Sequence, residues 1–179
     1  MSQWEADLHA RIADAIKKHR PGSAQELADR TAKLGYPISR AQIANYESGR
    51  KKNLDIAELL ILAAALDVPP LVLLYPELPA GEVEIIPDRP GTSWDAYRWA
   101  TGMAPSFLNP GTPSDGEQLI SAVLERHELM VELAHLRVER SKARDDMRKK
   151  ALESRQAEVS GRIGRLNALI NDVGGVLNA

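Results

Sequence analysis

The chain has 179 residues, 44% of them hydrophobic, so it can bury a core, with room for one domain plus an appendage or for two small domains. Twenty-three Lys and Arg against 25 Asp and Glu leave a formal charge of -2, which excludes a uniformly basic nucleic-acid coat and confines any such affinity to local patches. With no Cys there is no disulfide, no thiolate metal site and no thiol nucleophile; the first residues carry charges every few positions, and no stretch approaches about 18 uninterrupted apolar residues, so the chain reads as cytoplasmic with no membrane partner.

Three textures follow one another: short amphipathic runs with compact turns over 1–76, recurring Pro and Gly over 77–116, and a Pro-free, heavily charged helical stretch over 117–179. In the first, Leu8, Ile12, Ala15 and Ile16 fall at helical spacing until Pro21-Gly22 ends the helix. Ser23 with Glu26 three residues on is a capping box for a second helix, with Leu27, Ala28, Thr31 and Leu34 as its inward stripe and Gly35 as a left-handed stop. Tyr36-Pro37 forces an extended turn. Ser39 and Gln42 form a second capping box opening a short helix through about Glu47, with Ile43 and Tyr46 inward and Ser48-Gly49 closing it. Asp55 caps a fourth helix with Ile56, Leu59, Leu60, Ala63 and Leu66 expected inside, and Pro69-Pro70 starts a fifth through Leu71 and Leu74.

Two helices joined by a tight turn are weak evidence of function by themselves. The residues are more specific: Glu26-Leu27-Ala28 in the second helix, Ser39 opening the third, Ile43 in its core, Glu47-x-Gly49 after it, then Leu54, Leu59, Ala63 and the exit Leu66-Asp67-Val68-Pro69. Over about Leu8 to Tyr75 the sequence resembles the lambda-repressor and Cro-like (XRE-type) helix-turn-helix regulators, in the long-turn variety common in actinobacterial and actinophage proteins. The resemblance implies a five-helix DNA-binding domain; with the regions after it, the expected fold is all-α with room for one short strand, the domain followed by a long helical coiled coil or hairpin.

A helix lying in the major groove reads base edges with residues near its N-terminus and along one face. Arg40, Ala41 and Asn45 lie opposite Ile43 and Tyr46 and are the candidate readers: Arg40 for a guanine, Asn45 for an adenine, Ala41 for a thymine methyl. Ser39, Gln42 and, near the start of the second helix, Gln25 stand where phosphate contacts are expected, and for Ser39 and Gln42 capping is the competing role. Arg50, Lys51 and Lys52 add a positive cluster suited to positioning the protein on the backbone, or are an ordinary solvated turn. The stretch from Thr31 to Ile38 is longer than a minimal turn, which can shift these contacts by a residue or two.

In the connector, Glu82 to Ile86 alternates as a short strand does, and Trp94, Tyr97 and Trp99 crowd three aromatics into a chain with 4% aromatics; closing the core of the helical domain, or forming an interface or effector pocket, are the two readings. Beyond it, Leu119, Val123, Arg126, Met130 and Leu133 step by four and three with one arginine interrupting, and Val159, Ile163, Leu166, Ile170 and Val173 repeat the step cleanly. Glu139 to Glu158 is dominated by charge. One continuous helix would lack a seam there, whereas a fold-back near Ser141 to Asp146 would set the two stripes face to face, yet no Pro or Gly marks a bend; both arrangements stay open, and in either a homodimer supplies the missing partner.

His127 and His135 are too far apart for one metal ion, and His9 and His19 have no carboxylate cluster, so no metal is expected; nor is there a phosphate-cradling glycine loop or a nucleophile elbow. The expectation is a cofactor-free, non-enzymatic regulator, a repressor on double-stranded DNA as a homodimer through the C-terminal helical region. The sequence names no small-molecule effector. The competing expectation is an antitoxin or phage-encoded interaction module whose helical tail binds a protein and whose DNA binding is autoregulatory.

Overall fold

In the computed structural model, which describes residues 2–50 and 53–177, helices begin where the sequence supplies a capping side chain. α1 (Gln3–His19) opens on Ser2, α2 (Ala24–Lys33) on Ser23, α3 (Arg40–Glu47) on Ser39 and α4 (Ile56–Leu66) on Asp55, each side chain accepting the backbone N–H three residues on. The reciprocal half of the box, from N3 back to the cap, forms in α1, α3 and α4. In α2 the Glu26 carboxylate pairs instead with Arg30 one turn on, at 3.2 Å. α5 (Pro70–Leu74) has no side-chain cap and starts on its proline, whose missing N–H is no loss at a helix start. Gly35 at φ 84° and Gly49 at φ 68° take the left-handed backbone that ends α2 and α3.

The chain divides into two compact units, Met1–Tyr97 and Arg98–Ala179. In the first, one core joins Ile12, Ile16, Leu27, Ile38, Ile43, Leu62 and Leu73 from all five helices and the α2–α3 turn. Leu34 was expected in the inward stripe of α2 but is exposed, because the helix ends at Lys33 and the phase is lost in the turn. In α4 the expected stripe is met in part: Ala63 and Leu66 are buried, but Ile56 is 76% exposed and Leu60 is exposed, while Glu58, Leu62 and Ala65 are buried instead. The sequence Ile56–Leu66 is apolar almost all round, so periodicity does not fix its rotation. Glu58 does: its carboxylate accepts from the Tyr46 hydroxyl and from Asp55 N at 3.3 Å, which turns that side of α4 inward.

After α5, β1 (Glu82–Ile86) forms where alternation predicts it, and β2 (Arg89–Thr92) pairs with it antiparallel, Glu82 facing Thr92 and Glu84 facing Pro90, with a bulge between Glu84 and Ile86. β2 contains Pro90-Gly91, which reads as a turn; a proline fits here because a two-stranded ribbon consists only of edges. The Trp4 indole N–H donates to Glu84 O at 3.2 Å, tying the ribbon to α1. The Arg11 guanidinium lies 5.8 Å from the Tyr75 ring centroid, and burial holds Arg11 below and Tyr75 above their ordinary pKa values. α6 (Ser93–Ala100) follows, burying Ser93 and Ala96 while Trp94 stacks on Tyr97 at 5.5 Å and stays exposed.

The second unit contains α7 (Asp115–Lys142) and α8 (Asp146–Asp172), folded back on each other as a helical hairpin. Ala143 ends α7 in extended conformation, and Asp145 caps α8 by accepting from Arg148 N, so two caps make the bend without Pro or Gly. Ala122 and Leu129 meet Val159, Leu166 and Ile170 in the seam, with Leu119, Leu133, Leu136 and Ile163 packed around them. Arg126, the interruption in the α7 stripe, donates to Asn167 Oδ1 at 2.7 Å across the hairpin. Glu132 pairs with Arg155 at 2.8 Å, and Glu125 with Arg162, along the flank. The fold is thus all-α but for the small ribbon, a five-helix domain followed by a helical hairpin.

Candidate nucleic-acid interface

α3 is anchored from one side and free on the other. Ile43 and Tyr46 are buried in the core, and the Tyr46 hydroxyl donates to the buried Glu58 carboxylate. At the C-terminal end of α3, Glu47 accepts from Arg20 Nε at 2.7 Å in a mostly buried ion pair, and Arg20 also donates to Gly22 O, so α1, the turn into α2 and the end of α3 share one guanidinium. Such a pair fixes orientation more surely than it adds stability. Glu47 appears in the sequence motif without a partner. Arg20 is 27 positions away and only the fold joins them.

The face left over carries Arg40, Ala41 and Ala44, all exposed, with Asn45 half-buried at its edge. Arg40, Ala41 and Asn45 are therefore brought to one helix surface, as the spacing suggests, but Ala44 lies in the middle of that surface and the sequence reading did not single it out. Its position one turn after Arg40 was the available signal. Ser39 and Gln42 make the complete reciprocal cap: Gln42 N to Ser39 Oγ at 3.2 Å, Ser39 N to Gln42 Oε1 at 2.9 Å. The Gln42 oxygen is occupied by the cap, which leaves its amide nitrogen as the group for any further contact. Gln25 stands exposed in the first turn of α2, and its amide donates to Asp29 Oδ1 at 2.8 Å along the same helix. Arg50 is exposed just past Gly49, while Lys51 and Lys52 lie outside the described residues.

Between α2 and α3 the chain is positioned by Thr31. Its hydroxyl is fully buried, donates to Ala28 O at 2.8 Å and accepts from Ile38 N at 3.0 Å, pinning the long turn to the last part of α2. Residues 23–73, from the cap of α2 through α5, match the model of the helix-turn-helix family. This segment is a DNA-binding helix-turn-helix domain of the lambda-repressor-like type. The helix-turn-helix match leaves α1 and everything beyond α5 outside it, and no curated protein and no solved structure matches the chain. The helix-turn-helix family is regulatory, so a role in transcription regulation follows for this domain. Among the described residues no His, Cys, Asp and Glu group could hold a metal ion, and no helix is long and apolar enough to cross a membrane.

Proposed function

We propose that the chain is a cytoplasmic, sequence-specific repressor that binds an operator as a homodimer, with α3 of each copy in the major groove. The observation that carries this reading is the division of α3 into a face fixed by Ile43, Tyr46–Glu58 and Arg20–Glu47 and an exposed face bearing Arg40, Ala41 and Ala44. A rigid helix with a long cation at its first position and small residues along its outer surface can approach base edges closely, the alanines clearing room for thymine methyls. Arg40 reads a guanine and Asn45, at the rim, an adenine. Ser39, Gln42 and Gln25 contact phosphates from the starts of α3 and α2, where helix N-termini favour anions, and Arg50 with Lys51 and Lys52 positions the domain without reading sequence. The C-terminal helical region joins the copies.

The test is binding of single variants to operator variants. Arg40→Ala and Asn45→Ala should each cost about 1–3 kcal/mol on the cognate site and relax preference at one base position. Arg50→Ala should weaken all sequences alike and lower the slope of log affinity against log salt by about one unit. Indistinguishable behaviour of the two classes would refute the assignment of readers and positioners.

A further inference from the structure

The hairpin carries its charge unevenly. From Asp115 to Leu136, α7 has five Asp and Glu and one arginine, whereas from Arg137 to Lys150, around the bend, there are seven Lys and Arg against three acids. Along the body the cations are mostly held: Arg155 pairs with Glu132 and Glu158, Arg162 with Glu125, and Arg126 donates to Asn167, with Arg165 the exception among the described residues. At the bend Arg140 reaches Glu153 at 3.3 Å and Lys149 reaches Asp146 at 3.5 Å. Arg137, Lys142, Arg144, Arg148 and Lys150 make no ion pair among the described residues, and all five are exposed. Helix chemistry accounts for only part of this cluster. Arg140 and Lys142 complement the carbonyl end of α7, but Arg148, Lys149 and Lys150 crowd the amide end of α8, where positive charge is disfavoured and an anion is favoured. Arg137, Arg140 and Lys149, from both helices, converge on one depression of about 400 Å³, and Lys142, Arg144 and Arg148 on a second of about the same size.

We propose that this bend is a second DNA contact, a sequence-independent clamp for duplex phosphates that works beside the helix-turn-helix domain. It rests on the DNA binding of that domain and adds a site to it. The need for one is visible in the charge of the domain itself. Residues 23–73 hold six Lys and Arg against six Asp and Glu, so their net charge gives no attraction to a polyanion, although phosphate electrostatics supply a large share of DNA affinity. The unpaired cations of the bend supply that attraction from another part of the same chain. Three of them, Arg137, Arg144 and Arg148, carry the planar fork of donors that matches phosphate oxygens. Once the domain is on a duplex, the bend meets phosphates at the effective concentration that the connecting chain allows, so weak individual contacts add to the whole. An acidic protein surface would satisfy the same charges, but the polyanion that this chain already holds through its helix-turn-helix domain is DNA.

Salt dependence of the full chain on a random-sequence duplex tests the proposal without an operator. Each phosphate neutralised contributes about 0.9 unit to the slope of log affinity against log salt. Arg144→Gln with Arg148→Gln and Lys150→Gln should lower that slope by about two to three units and keep the helical circular dichroism of wild type. Arg165→Gln, which removes an unpaired cation from the body of α8, should leave the slope unchanged. Because the chain has no Cys, an iron chelate on Met147→Cys, at a position 82% exposed in the bend, reports proximity without altering a cation. It should cut the bound duplex, and the same chelate on Ser160→Cys, an exposed position in the body of α8, should cut it far less. A wild-type slope in the triple variant together with no cutting from Met147→Cys would overturn the clamp and turn the bend over to an acidic protein. The helix-turn-helix contact would still stand if Arg50→Ala lowered the slope in the same assay. A slope lowered as far by Arg165→Gln as by the triple variant would show a general charge effect and overturn the clamp as well. A wild type that binds no duplex would overturn DNA binding by the chain itself, and the clamp with it.

Discussion

Thr31 shows how much of a reading surface can depend on one hydroxyl. Between α2 and α3 the backbone bonds back to α2 only as far as Tyr36, whose N–H donates to Thr31 O at 3.3 Å, and the buried N–H of Ile38 is satisfied by the Thr31 Oγ1 alone among the described contacts. Thr31→Val keeps the shape and removes that partner, so it should destabilise the protein by about 1–3 kcal/mol, the cost of a stranded buried donor. Thr31→Ser keeps the oxygen and loses a methyl, at about 1 kcal/mol. Urea midpoints of the three proteins decide it: valine should be the worse of the two, and an order with serine worse would mean that packing rather than the hydrogen bond holds the turn. From the sequence Thr31 is legible only as a member of the inward stripe of α2. Its bond to Ile38 spans a turn whose path depends on Gly35 and Pro37 together, and local periodicity carries no information on that path.

Among the elements, what could be read in advance followed from strong local chemistry. The starts of α2, α3 and α4 were fixed by Ser23, Ser39 and Asp55, since a capping side chain satisfies a donor within its own turn and needs no tertiary partner. Rotation about a helix axis is a tertiary property, and in α4, apolar almost all round, Ala63 and Leu66 were read correctly while Ile56 and Leu60 were not, because Glu58 is drawn inward by Tyr46. The outward face of α3 was legible for Arg40 and Ala41 because Ile43 and Tyr46 mark the opposite side, but Ala44 escaped notice because a methyl suggests no chemistry. The hairpin bend was undecided for a related reason: Ala143 and Asp145 end one helix and start the next with residues that are also at home inside helices. Asp145→Ala should therefore strip the first turn of α8 of its cap, at a cost of about 1 kcal/mol. Amide exchange should speed up in residues 146–149 and stay unchanged in α3. Undiminished protection of that turn would mean that packing against α7 alone sets the bend.

For the whole molecule, the spacing of sites on DNA tests the proposed homodimer. If one α3 enters the groove per copy, the two half-sites of an inverted repeat should lie on one face of the duplex, about 34–36 Å or a multiple of it apart. Inserting about five base pairs, half a turn, moves the second groove to the far side, whereas about ten restores the face and only lengthens the span. In the proposed dimer the connection between recognition and pairing acts as a tether. A tether absorbs added distance more readily than a half-turn rotation of the target, and mass action through effective concentration then ranks the sites. The expected order of affinity is the natural spacing first, the full-turn insertion second and the half-turn insertion last, measured by gel shift on the three duplexes at one salt concentration. Equal affinity for the two insertions would show that the tether swivels freely, and equal affinity for all three, with single half-sites protected in footprints, would show that each copy binds alone.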